Sequence, residues 1–327
     1  MKLTLLGGVA ALVAAVAVGA GAKAAGPPLA IERTIPLPDV QGRIDHMAFA
    51  PKRQVLFIGE VGAGALDAID LKSGRRIARV DHLQEPQGVA YLAAADEVAV
   101  GCGGDGTVRF YAAGSLKPVA TVALKGDADN LRLDPSGRLI AADGAGFAVI
   151  DPVRHVVVSR VEVGGHPEGF QIDPDGRRLV ANVPRQHRVI VADLTSGRVT
   201  SSWGQLALMN FPMALARSGE AATVFRLPSQ LLVFDSQSGR TIARTGACGD
   251  SDDLHFDPAR ARLYVSCGSG GVEVFDTMGH AYRSLGLVKT RSGARTSLFI
   301  REIDRLVVAA RDDGGQGAAV LVLKATP

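Results

Sequence analysis

Carboxylates, amides and one imidazole recur along this chain at a steady interval. The pairs Asp45-His46, Gln87-Gly88, Asp129-Asn130, Glu168-Gly169, Pro212-Met213, Asp252-Asp253 and Thr296-Ser297 each stand just ahead of a short apolar run. Carboxylates gathered in one place repel unless a cation, a shared proton or a basic side chain neutralises them. Arg295 and Arg311 are basic residues of the same segments. An oxygen-rich ring with one imidazole suits a divalent cation such as Ca²⁺ or Mn²⁺, and Asp45, His46, Glu168 and Asp253 are its candidate ligands. The same ring, widened to Gln87, Asp129, Asn130, Arg295 and Arg311, suits direct contact with an organic ligand. It equally suits the capping of strand starts and the holding of axial water. The residues alone leave these three readings open.

Two functions from different classes follow. The first is a binding module that holds a small ligand, an ion or a protein partner. The alternative is a metal-assisted, lactonase-like hydrolase, in which a cation polarises a carbonyl and a carboxylate handles the proton. Asp45, Glu168 and Asp253 would then be ligands or base, and His46 the proton carrier. No Gly-x-Ser-x-Gly, His-Glu-x-x-His or phosphate-binding loop occurs, and no Cys-x-x-Cys-His. No cofactor is named by the sequence beyond that candidate cation.

The interval itself specifies the elements that must position these residues. Segments around Ile69-Asp70-Leu71, Phe110-Tyr111, Ile150-Asp151, Ala192-Asp193-Leu194, Phe234-Asp235 and Phe275-Asp276 follow one another at 41, 40, 42, 42 and 41 residues. A second marker keeps the same beat: Asp134-Pro135, Asp173-Pro174 and Asp257-Pro258 sit between short apolar runs, where Pro presets φ and Asp bonds the local backbone. Each repeat reads strand, Asp-Pro turn, strand, loop, strand, Ser-Gly turn, strand. Four short antiparallel strands in a repeat of this length make one propeller blade. The inner strands Met47-Phe49, Val89-Tyr91, Leu131-Leu133, Phe170-Ile172, Ala214-Ala216, Leu254-Phe256 and Leu298-Ile300 predict an all-β, seven-bladed β-propeller of four-stranded antiparallel blades.

The last repeat has only three strands, so the N-terminal segment Ile31-Pro36 is predicted to close the ring, and truncation before Ile31 to be harmless. In this geometry the recurring pairs ring one mouth of the central channel. His166 is placed to reach that mouth. His255 is expected to pack between blades, and His82, His155, His187 and His280 to be solvated. Cys248 and Cys267 fall on the same face of the sixth blade and are predicted to form a disulfide, leaving Cys102 free.

The second strands Arg262-Leu263-Tyr264-Val265-Ser266, Val55-Leu56-Phe57-Ile58-Gly59 and Arg178-Leu179-Val180-Ala181-Asn182, with their Ile-Asp-x-x-Ser-Gly ends, resemble those of the YVTN-repeat β-propellers, a group of exported bacterial proteins. Gly42-Arg43-Ile44-Asp45-His46, Asp127-Ala128-Asp129-Asn130 and His166-Pro167-Glu168-Gly169-Phe170 resemble one branch of that group. The resemblance implies the fold and export, and no activity.

Composition agrees with export. Lys2, the apolar run Leu3 to Val18 and Ala22-Lys23-Ala24 read as a cleavable signal peptide over residues 1–25, leaving a single propeller domain over 26–327. The expected location is periplasmic or secreted, with no membrane span after cleavage and a monomeric state. The whole chain carries 36 basic and 33 acidic residues and few aromatics, which disfavours a nucleic-acid partner.

Overall fold

The computed structural model describes residues 26–326. The segment read as a signal peptide lies outside the described residues. Seven four-stranded antiparallel sheets succeed one another along the chain, six of them in simple sequence order. The seventh has the order Leu29–Pro36, Ala319–Ala325, Arg305–Ala310, Thr296–Ile300, so its outermost strand comes from the other end of the chain. The predicted propeller and its closure are therefore present.

The turns do what their residue types dictate. The Asp134 carboxylate accepts from the backbone N–H groups of Ser136 and Arg138 and from the Arg138 side chain. Asp173 binds Arg177 and Arg178 in the same way. Asp257 accepts from the Ala259 N–H, the Arg260 guanidinium and the Tyr264 hydroxyl. All are structural hairpin devices on the face opposite the recurring polar pairs. The Ser-Gly turns lie on that same opposite face, with Asp70, Asp193 and Asp235 accepting from the backbone two or three residues ahead.

Apolar side chains fill the spaces between neighbouring blades. Between the first and last blades, Ile35, Leu56, Ile58 and Ile69 pack with Ile300, Val307 and Val320. Close approach near the axis also needs residues without side chains. A Cβ on Gly88 would strike the carbonyl of Asp129 and the backbone of Leu131 in the next blade, so glycine there lets the second and third blades meet.

Cys248 and Cys267 are joined, with Cα atoms 5.9 Å apart. Cys102 is free and buried, and burial pushes its thiol up to about 11, so it stays protonated and unreactive at neutral pH.

The closing strand is longer than Ile31-Pro36. It begins at Leu29, which pairs with Ala325 and is 1% exposed. The carbonyl of Pro28 accepts from the Thr326 N–H and from Arg262. Truncation just before Ile31 is therefore not harmless, because it removes a buried anchor that the polar pair Glu32-Arg33 hides in the sequence. A chain beginning at Gly26 is the reference for unfolding in urea. One beginning at Ile31 should lose about 1.5–3 kcal/mol, the worth of one buried leucine. Equal midpoints for the two would contradict the placement of Leu29.

Candidate functional site

The recurring pairs reach the mouth through a backbone device the sequence conceals. In four blades the inner strand starts earlier than its apolar run, and its pairing slips at the polar residues. The slips fall between Pro86 and Val89, Ala128 and Leu131, Asn210 and Met213, and Ser251 and Asp253. Each is a bulge, which leaves one or two residues unpaired and re-aims their side chains. Gln87, Asp129, Phe211 and Asp252 are the residues so turned. In the first and fourth blades the polar pair precedes the strand but is still tied to the next one. Asp45 N–H donates to the Gly59 carbonyl at 2.8 Å, and Glu168 N–H to the Asn182 carbonyl at 3.0 Å.

The mouth holds a cavity of about 600 Å³ to which all seven blades contribute. Below it, about 360 Å³ of channel is lined by His46, Arg132, Gln171, Asp253 and His255. Apart from Arg132 and Arg185, the charged side chains around these two spaces fall into three groups.

His46 lies between two carboxylates. Its Nε2 is 3.7 Å from Asp45 Oδ1 and its Nδ1 is 3.7 Å from Asp253 Oδ2. Arg43 pairs with Asp45 and also donates to Gln87 Oε1 at 2.7 Å, while Asp253 accepts from the Ser297 N–H at 2.8 Å. Burial alone would lower the imidazole's pKa, but Asp45 and Asp253 outweigh it and raise it to about 9. Burial would raise Asp253, but His46 more than compensates and lowers it.

His166 is the centre of the second group. Its Nδ1 is 3.2 Å from the Gly144 carbonyl and 3.4 Å from Asp127 Oδ1; its Nε2 faces Asp129 Oδ2 at 3.5 Å and Glu168 Oε1 at 3.7 Å. Asp129 first, with Asp127 and Glu168, raises this imidazole to about 9 against the opposing effect of burial. Burial first, then repulsion from Asp129, pushes Glu168 up to about 7.

The third group is an arginine pair clasping two aspartates. Arg226 reaches Asp252 at 2.9 Å and Asp250 at 3.0 Å, and Arg295 reaches the same two at 3.0 and 2.9 Å. The Arg226 guanidinium lies 4.0 Å from the centre of the Phe211 ring, a cation–π contact. Burial raises Asp252 to about 6 in spite of both arginines.

Sequence expectation and structure differ in instructive ways. Gln87, Asp129, Glu168 and Arg295 line the mouth cavity, as does His166. Asp45, His46, Glu168 and Asp253 are not gathered around one point: His46 holds Asp45 and Asp253 through opposite ring nitrogens, and Glu168 belongs with His166. The expectation failed because spacing places residues on a ring without saying which neighbours their side chains face. Arg311 does not line the cavity. It follows the strand Arg305–Ala310, is exposed, and lies against Gly293. Asn130 is buried and accepts from Arg132 rather than facing the cavity.

His255 lines the channel while bonding across to Ser297, at 3.1 Å to both its carbonyl and its hydroxyl. His155 is not solvated: it meets Glu97 at 3.0 Å and lies edge-on to Phe110. Arg43, Asp127 and Arg226 are site residues the sequence reading did not assign. Arg43 and Asp127 stood inside the quoted motifs, which was the available signal.

No protein-family model matches the chain, and no curated protein matches it. Solved structures are similar in fold alone. A chain of Kuenenia stuttgartiensis hydrazine synthase is 15% identical, with a TM-score of 0.74 over 87% of this chain and 97% of that one. A chain of a mitotic checkpoint complex is 14% identical, with a TM-score of 0.78 over 100% of this chain and 99% of that one. They show a seven-bladed propeller, and no family assignment comes with them.

His46 gives the site a pH signature. Its folded pKa, about 9, lies above its ordinary 6.5. The stability it contributes is present in full below pH 6.5 and is lost as pH rises through 9. The melting temperature should fall from pH 7 to 10. His46→Gln should cost about 3–5 kcal/mol at pH 7, because it removes one partner of two buried ion pairs, and should flatten that fall. An unchanged pH slope in the variant would contradict the pairing.

Proposed function

We propose that the mature chain is an exported binding protein that holds a small polar ligand in the cavity at the channel mouth. The observation that carries this reading is that all seven blades contribute side chains to one cavity of about 600 Å³, a volume usual for small-molecule sites. Its walls differ in sign. Arg43, Arg185, Arg226 and Arg295 supply positive charge, and Asp127, Asp129 and Glu168 negative charge. Phe211 offers an aromatic face beneath Arg226. Such a site suits a molecule with an anionic group and several donors, such as an amino acid or a hydroxy acid.

Export is supported by the N-terminal signal pattern, by the resemblance to YVTN-repeat propellers, and by a disulfide of the kind that persists in oxidising compartments. The lactonase-like alternative is not adopted, since the four residues expected to hold its cation do not converge.

The test is a thermal-shift screen of amino acids, hydroxy acids and sugar acids in buffer containing chelator, followed by calorimetry of any stabilising compound. At least one compound should bind one to one, and Arg295→Gln or Gln87→Ala should weaken it about tenfold or more with the fold intact. Binding that survives both substitutions, or no binding by any of the three classes, would contradict the proposal.

A further inference from the structure

We propose that Asp129, His166 and Glu168 form a site for one divalent transition-metal ion, with a coordination position open to the mouth cavity. Each of the three offers a ligand atom, and these atoms lie within 4.8 Å of one another. No other such grouping occurs among the described residues.

The spacing is compatible with a shared metal ion. Nε2 stands 3.5 Å from Asp129 Oδ2 and 3.7 Å from Glu168 Oε1, long for hydrogen bonds. A tetrahedral ion with bonds of about 2.1 Å sets its ligands about 3.4 Å apart. Small side-chain adjustments therefore bring all three onto one ion. The imidazole is already oriented for the task. Its Nδ1 side is occupied by the Gly144 carbonyl and Asp127, which leaves Nε2 facing the two carboxylates. A metal-bound histidine is held in this way, its second nitrogen fixed by a carbonyl or carboxylate.

A second observation concerns their partners. Asp129 is 8% exposed, and among the described residues His166 is the one cationic side chain within ion-pair distance of it and of Glu168. Buried carboxylates are normally bonded. At this mouth Arg43 serves Asp45, the Ser297 N–H serves Asp253, and Arg226 serves Asp252. Asp129 and Glu168 share His166 as their nearest cationic partner, at 3.5 and 3.7 Å. A cation would serve both.

The donor set selects the class of ion. One imidazole with two carboxylates suits Zn²⁺, Mn²⁺ or a similar first-row ion. Ca²⁺ requires six to eight oxygens, more than this group supplies. All three ligands line the cavity, so the open position faces any molecule bound there. The site stands on its own geometry and does not need the ligand reading above.

The mature protein, stripped with chelator and dialysed, is titrated calorimetrically with ZnCl₂, MnCl₂ and CaCl₂ alone, and its retained metal is measured. The expected result is one Zn²⁺ or Mn²⁺ per chain and much weaker Ca²⁺ binding. His166→Gln and Asp129→Asn should each lose more than about a hundredfold in affinity, and Asp127→Asn about tenfold, since supporting partners are worth that much. His155→Gln, on a different part of the third blade, should bind as the parent does. Far-ultraviolet circular dichroism confirms that each variant is folded. Substoichiometric binding by the parent, or full binding by folded Asp129→Asn and His166→Gln, would overturn the site. Metal binding without an organic ligand would leave this inference standing and the previous one refuted, and the reverse result would separate them the other way.

Discussion

Pairing between Leu29–Pro36 and Ala319–Ala325 is the constraint on which the mouth depends. Each blade packs on its neighbours, so a ring that fails to close leaves the first and last blades with bare apolar faces and an unpaired edge. The closing strand covers that edge and contributes Ile35 to the core shared by the first and last blades. Once the ring is closed, seven inner strands must start around one axis. Their first residues then meet from opposite sides of the chain, as Thr296 and Ile44 do through a side-chain to carbonyl contact of 3.5 Å.

Convergence has an electrostatic consequence. The inner strands bring carboxylates from the first, third, fourth and sixth blades close together, where like charges repel. Three different answers operate side by side. A histidine is held protonated between Asp45 and Asp253, an arginine pair clasps Asp250 and Asp252, and His166 faces Asp129 and Glu168. The first two answers are complete within the chain. The third shares one imidazole between two carboxylates, and it lies on the cavity wall. The mouth is thus most incomplete where it is most accessible to a bound ion or molecule.

Blade number and closure were legible in the sequence because a repeat needs only its spacing to be counted. The turn aspartates were legible for a similar reason, since Asp-Pro and Ser-Gly turns act within four or five residues of themselves. Leu29 was missed because the alternation that marks a strand breaks at Glu32 and Arg33, where the register shifts. The site was legible as a set of positions and not as a set of contacts. Bulges at Gln87, Asp129 and Asp252 turn side chains by adding a residue that leaves no mark on the spacing. His46 drew attention by its place in the ring, yet it is satisfied by its neighbours. His166 stands two residues before Glu168 in a loop and proved the imidazole that faces the cavity. Arg226 was visible at a strand end, but its contacts with Phe211 and Asp252 join residues far apart in the chain.

Ring closure presses buried carboxylates together, and histidines at the mouth carry protons because of it. Titration of the individual imidazoles by nuclear magnetic resonance, with isotope-labelled histidine and His46→Gln for assignment, tests it most directly. His46 should remain protonated at pH 7.5 and titrate near 9, well above the ordinary value for histidine. Titration of His46 at or below 6.5 would show that Asp45 and Asp253 do not clasp it, and the electrostatic account of the mouth would be wrong.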